Sequence, residues 1–212
     1  MSTLRKLFVF ALMTPLIALG GFFVFTLPPV ACLRFSYPVR TAMMLLKPGP
    51  VDQRWVPMKD IAPSLGSAVV NAEDATFYEH HGVDFKQMRE AMEKNRKKKR
   101  FARGGSTITM QLAKNLYLTP RKLVFRKVLE IALAYEMEVL LSKDRILELY
   151  LNLIEWAPGV YGAQSAAGHY FRKPASKLTS AEAAFLAAII PSPKKWGRWP
   201  PGPYIQGRMQ HL

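Results

Sequence analysis

The chain has a single cysteine, Cys32, so an intrachain disulfide is excluded and a cysteine-built zinc site has no basis. This fits either redox compartment. Its four histidines fall in no H-E-x-x-H or comparable ligand spacing, and the adjacent pair His80-His81 is poor geometry for chelating one metal. That pair reads as structural. No G-K-[ST] follows the glycines of Gly104-Gly105, which rules out a Walker A loop. Internal repeats, long low-complexity tracts and alternating strand patterns are missing too, leaving an all-α domain as the expected fold class. Acidic residues are scarce. Asp and Glu number 15 against 30 Lys and Arg, a net charge of +15, which favours an anionic partner such as nucleic acid or an acidic membrane surface.

Charge is absent altogether between Lys6 and Arg34. Leu7 to Leu27 as a helix would run about 31 Å, enough to cross a bilayer core. Pro15 and Gly20-Gly21 would weaken a soluble helix but are tolerated in lipid. The competing reading is a cleaved signal peptide, but the apolar run exceeds the usual h-region and no clean A-x-A site follows. Pro29-Val30-Ala31-Cys32 resembles a lipoprotein cleavage site only faintly. Residues 1–27 are therefore expected to be a short cytoplasmic N-terminus and one transmembrane helix. Arg5 and Lys6 before the span nearly balance Arg34, Arg40 and Lys47 after it, so charge alone does not orient it.

Seven prolines from Pro28 to Pro63 mark residues 28–63 as a linker and domain entry, ahead of a domain at 64–212. From Ser64 onward helical patterning dominates. Leu123 to Leu141 carries Val124, Val128, Ile131, Ala132, Tyr135 and Val139 at helical spacing, and Ile146, Leu149, Tyr150 and Leu153 repeat the pattern. Thr179 and Glu182 form a capping box that opens an alanine-rich helix, stopped by Pro191 and Pro193. Lys94 to Arg103 holds seven basic residues in ten, read either as a solvated loop or as a contact for anionic headgroups.

Three clusters carry the chemistry. Glu73-Asp74 precedes Phe77-Tyr78 and His80. Gly104-Gly105-Ser106 feeds a helix whose free N–H groups would favour an anion. With Ser106 as its cap, Thr107, Gln111 and Lys114 or Asn115 share one polar face, while Ile108, Leu112 and Leu116 form the apolar stripe. Arg126, Lys127 and Glu130 place cations and a carboxylate one turn apart. Singly, each cluster also fits a bland reading: an amphipathic helix with a polar outer face, a surface salt bridge, a solvated helix end.

Their order and wording are more specific. The chain resembles the peptidoglycan glycosyltransferases, the membrane enzymes that polymerise lipid II and form the first module of bifunctional penicillin-binding proteins. Five blocks carry the resemblance: Glu73-Asp74…Phe77…His80…Gly82; Arg103-Gly104-Gly105-Ser106-Thr107-Ile108-Thr109…Gln111…Lys114-Asn115; Arg126-Lys127…Glu130; Lys143 to Asn152; and Gly159-Val160-Tyr161-Gly162…Ala166…Tyr170-Phe171. Glu155-Trp156, the short length and the lack of a transpeptidase module are similar to the monofunctional form. Two departures stand out: Met110 where the family has a second glutamine, and Ala157 where glycine is common.

The resemblance implies a helical, lysozyme-like domain, periplasmic or extracytoplasmic, on a single-pass anchor in the inner membrane. It implies lipid II and the growing glycan as substrates, membrane lipids and cell-wall synthesis or division proteins as partners, and no nucleic acid. Glu73 matches the general base. Glu130 is the second catalytic carboxylate, expected to position cations or a metal rather than to act as a simple acid. Substrate contacts are expected from Asp74, Arg103, Ser106, Thr107, Gln111, Lys114, Asn115, Arg126 and Lys127. A divalent cation, Mg²⁺ or Mn²⁺, is a further expectation of the resemblance, since the sequence shows no dedicated cage. Glycan cleavage by a lysozyme-like hydrolase and a non-enzymatic, membrane-anchored scaffold are the alternatives.

Overall fold

A computed structural model describes residues 5, 13–14, 20–21, 26, 29–47, 49–97, 105–119 and 124–212. The domain is mostly helical, as expected. Its centre is α8 (Ser180–Ile189), whose Ala183, Phe185, Leu186, Ala187, Ala188 and Ile189 are all fully buried. Alanine on this helix lets neighbours approach closely, and α2 (Pro63–Glu73) and α10 (Pro203–Met209) both pack on it. The expected box starts α8: Thr179 Oγ1 accepts from Glu182 N at 3.3 Å, and the Glu182 carboxylate accepts from Thr179 N at 2.8 Å.

A second layer holds the chemistry. Here α4 (Ile108–Tyr117) packs against α5 (Val124–Leu140) and α6 (Lys143–Leu153). The stripe Ile108, Leu112 and Leu116 is buried as its spacing predicts. Helix α3 (Phe85–Lys97) ends on Lys94, Arg96 and Lys97, cations that suit the negative end of its dipole. Helix α5 departs from its expected pattern. Its buried side is Glu130, Leu133, Ala134, Glu136 and Met137, whereas Val128, Tyr135 and Val139 are exposed, together with Phe125. Of the apolar stripe legible in the sequence, Val128, Tyr135 and Val139 thus face outward, while Ile131 is part-buried against Val83, Met110 and Ala134.

The Pro-rich stretch, expected as linker and domain entry, contributes to the core. Val30, Leu33, Met44, Ile61 and Ala62 are buried in the main core, and α1 (Ala42–Leu46) packs against α4. Pro63 fits because it stands in the first turn of α2, where no N–H is needed. A small sheet, also unforeseen, closes one side. β1 (Asp52–Gln53) pairs in parallel with β3 (Val160–Tyr161), which pairs antiparallel with β2 (Glu155–Ala157). Strands this short show no alternation to read. Helices α7 (Ala163–Phe171) and α9 (Pro193–Trp196) complete the order.

Among the described residues no helix is long and apolar enough to cross a membrane. The expected span at 7–27 lies outside the described residues, apart from positions 13–14, 20–21 and 26.

Candidate active site

Glu73 is the last residue of α2, at the end of a helix where aligned carbonyls already disfavour negative charge. It is half-buried, and burial raises its carboxyl above the ordinary range. Gln111 Nε2, from α4, donates to Glu73 Oε2 at 2.8 Å and opposes that shift. Arg208 of α10 and Lys114 also act to lower it, and Asp74 acts to raise it.

The N-terminus of α4 is not free for an anion, contrary to the reading of the glycine turn. Thr107, not Ser106, is the cap: its hydroxyl accepts from Met110 N at 3.1 Å and donates to Gly82 O at 2.6 Å. Asp74 Oδ2 accepts from Ile108 N at 2.9 Å, so the protein's own carboxylate fills the place of an external anion. His80 Nε2 holds the other Asp74 oxygen at 3.0 Å, which makes His80 structural. With Asp74 1% and Thr107 3% exposed, neither side chain has surface left for substrate. Both stand behind the site and position α4. Gly105 lies so close to α3 that a Cβ would sit 2.9 Å from Met88 Cα, which excludes any larger residue.

The cationic patch lies further along α4 and across on α5. Glu130, 3% exposed, accepts from Arg126 Nη1 and, at 3.2 Å, from Lys127 Nζ. Lys127 Nζ also donates to Ser106 Oγ at 2.8 Å, tying the glycine turn to α5. Lys114 has no hydrogen bond or ion pair of its own among the described residues. Burial lowers its pKa; Glu130 and Glu73 pull it back up, while Arg126 and Lys127 lower it further. Lys114 thus interacts electrostatically with both carboxylates. Asn115, the next residue, is half-buried with no contact that fixes its role. Arg103 lies outside the described residues.

The donor set does not fit a resident divalent cation. Both Glu130 oxygens are taken by cations, and among the described residues no three His, Cys, Asp or Glu side chains gather as a metal would need. Sequence reasoning missed two contributors. Tyr150, on the buried face of α6, donates from its hydroxyl to Gln111 Oε1 at 3.0 Å. Arg208 comes from a helix far along the chain, and no local pattern connects it with Glu73. Of the two departures, Met110 is fully buried beside Val83 and Ala134, and Ala157 is buried in β2. Neither side chain reaches the site.

A family model described as Transglycosylase matches residues 42–210 of this architecture. The chain belongs to the transglycosylase family. It is 51% identical over 148 residues to the Biosynthetic peptidoglycan transglycosylase of Dechloromonas aromatica (strain RCB), an alignment covering 70% of this chain and 64% of that protein. To the relative of the same name from Ralstonia nicotianae it is 49% identical over 144 residues, 68% of this chain and 62% of the relative. The Caulobacter vibrioides relative, again of that name, is 43% identical over 190 residues, 87% of this chain and 82% of its own. The chain spans just under two thirds of the length of the first two relatives. The transglycosylase match begins at residue 42, inside the stretch expected to be linker, in keeping with the core residues found there.

Proposed function

We propose that this chain is a peptidoglycan glycosyltransferase that polymerises lipid II into glycan strands during cell-wall synthesis. The carrying observation is that α4 serves a base and an anion site from adjacent turns: Gln111 holds the raised carboxyl of Glu73, at the end of α2, and Lys114 interacts electrostatically with both Glu73 and Glu130. Names carried by the relatives support the same substrate class.

The donor is the growing glycan on its lipid pyrophosphate, and the acceptor is the 4-hydroxyl of the next lipid II. A sugar hydroxyl is a weak nucleophile, so Glu73 takes its proton as the oxygen attacks C1. Burial favours this, because a base with a raised pKa holds the proton more firmly. The C1–O bond to pyrophosphate breaks as the new glycosidic bond forms, and attack from the opposite face inverts the anomeric centre. Pyrophosphate needs neutralising charge more than a proton. Lys114, Arg126 and Lys127 supply it from fixed positions, and Glu130 orients the latter two. An approaching anion would also stabilise the protonated form of the half-buried Lys114. Mg²⁺ or Mn²⁺, if used, would have to arrive on the substrate's own oxygens, and no step depends on it.

Residues 7–27 as a retained single-pass anchor in the inner membrane, with the domain on the periplasmic or extracytoplasmic side, complete the proposal. The charge-free run supports it, and Thr26 Oγ1, at the end of that run, donates to Glu136 Oε2 on α5 at 2.8 Å. Phe125, Val128 and Val139 exposed on that helix, and Phe85 and Met92 on α3, suit an acyl-chain boundary beside a +15 protein.

Incubation of the purified chain with lipid II tests the reading. Glycan polymer with released lipid pyrophosphate is expected. Cleavage of preformed glycan would indicate the hydrolase, and neither product would leave the scaffold.

A further inference from the structure

A glutamine amide can be turned over with little change in shape, which exchanges its donor for its acceptor. At Gln111 the exchange matters, because the group it faces is the reacting carboxylate. In the observed orientation Nε2 donates to Glu73 Oε2 at 2.8 Å and lies 3.4 Å from Ser106 O, while Oε1 accepts from the Tyr150 hydroxyl at 3.0 Å. Turned over, Oε1 would meet two acceptors. It could then contact Glu73 favourably only if Glu73 were protonated, which is the form that cannot act as a base.

We infer that Tyr150 is a positioning residue of this site: its hydroxyl fixes the Gln111 amide so that Glu73 is offered an N–H rather than a carbonyl. Tyr150 is fully buried on α6 and its ring packs in the main core, so it cannot touch substrate and acts only through Gln111. Burial and the nearby charges of Glu73 and Asp74 hold its phenol well above the ordinary range, so it remains a donor throughout the working range of pH. The charged groups facing Glu73 come from every side: Asp74 beyond α2, Lys114 on α4 and Arg208 on α10. Tyr150→Phe alters none of them. The substitution removes one oxygen and leaves Gln111 Oε1 without its donor, freeing the amide to turn over and stabilise protonated Glu73.

The chemistry of Glu73 depends on the proposed function, but its proton affinity does not, so the two are tested separately. Carboxyl ¹³C NMR of the full purified chain in detergent reads the Glu73 titration without substrate, with Glu73→Gln assigning the resonance. Tyr150→Phe is expected to raise the Glu73 titration midpoint by about half to one pH unit, the size of one ordinary hydrogen bond. In polymerisation assays the acidic limb of the rate profile should move up by the same amount, with activity recovering above it. Gln111→Leu should shift the midpoint at least as far, and Tyr150→Phe should add nothing on that background, because its only route is through Gln111. A Tyr150→Phe titration superimposable on the parent's overturns the inference, as does a uniform rate loss at every pH. If Tyr150→Phe does not fold, Gln111→Leu still decides: an unmoved Glu73 midpoint in that variant sinks the proposal. A shifted midpoint in a chain that makes no polymer would instead fail the proposed function and leave this inference standing.

Discussion

Glu73 combines two conditions that oppose each other: a base must be ionised to work, yet this one sits half-buried at a helix C-terminus. Its folded pKa lies above the unfolded value, so the fold is favoured while Glu73 is protonated, and that contribution is lost as pH rises through the raised pKa. Glu73→Gln removes the ionisation and keeps a group that can accept from Gln111. Polymerisation should fall by about 10²–10⁴-fold, the usual cost of a lost general base. The same variant should melt higher than the parent near pH 7, with the gap closing at about pH 3, below the ordinary glutamate range. Activity within threefold of the parent would remove Glu73 from the mechanism, and a lower melting temperature at pH 7 would remove the stability argument. Glu130 poses the complementary case. Its two oxygens are engaged by Arg126 and Lys127, so it has no free edge from which to deliver a proton. Glu130→Gln places an amide donor against a cation and should cost on the order of tenfold in kcat/KM, since it disturbs charge-assisted contacts. The shape of its pH profile should match the parent's. Loss of the alkaline limb would instead identify Glu130 as an acid.

Helix α4 links the residues into a site, because it carries Gln111 and Lys114 on one face and is held at its first turn by Asp74 and Thr107. Asp74→Ala should remove the contact to Ile108 N and leave His80 Nε2 without its partner, at a cost of about 2 kcal/mol, or roughly 4–8 °C in Tm. A melting temperature within 1 °C of the parent's would show that α4 is held by other contacts. Long periodic elements such as α4, α5 and α8 were legible in the sequence, because a repeat sustained over several turns outweighs local exceptions. The capping box at Thr179 was legible for a similar reason: both partners lie within four residues. What the sequence concealed depends on distant contacts. Thr107 displaces Ser106 as the cap because Gly82, from another part of the chain, accepts from its hydroxyl, while Asp74 accepts from the next residue's N–H. Tyr150 reads as one more core residue until its hydroxyl is seen against Gln111. On α5 the pattern was visible, but periodicity alone does not say which of two apolar faces turns inward.

At the scale of the whole molecule, the N-terminal third serves the core as well as any anchor, which changes where the chain can be shortened. Val30 is fully buried and Leu33 nearly so, and Arg145 reaches back to donate to Leu33 O at 2.8 Å and Ser36 O at 2.6 Å. Proline content misled here because it reports a non-helical backbone, and says nothing of whether the side chains between the prolines are buried. A variant beginning at residue 28 loses the apolar run and the Thr26–Glu136 bond but keeps these contacts. One beginning at residue 41 loses them too. Burying an aliphatic side chain is worth about 1.5–3 kcal/mol, so dropping Val30 and Leu33 should cost several kcal/mol, a large share of the stability of a domain this size. The shorter deletion should therefore melt close to the parent and polymerise lipid II in detergent, while its rate on liposomes falls, since tethering raises the effective concentration at the surface where substrate diffuses. The longer deletion should melt well below both and lose activity even in detergent. Equal rates for the residue-28 variant and the parent on liposomes would exclude the anchor. Equal melting temperatures for the two deletions would exclude a core role for residues 28–40.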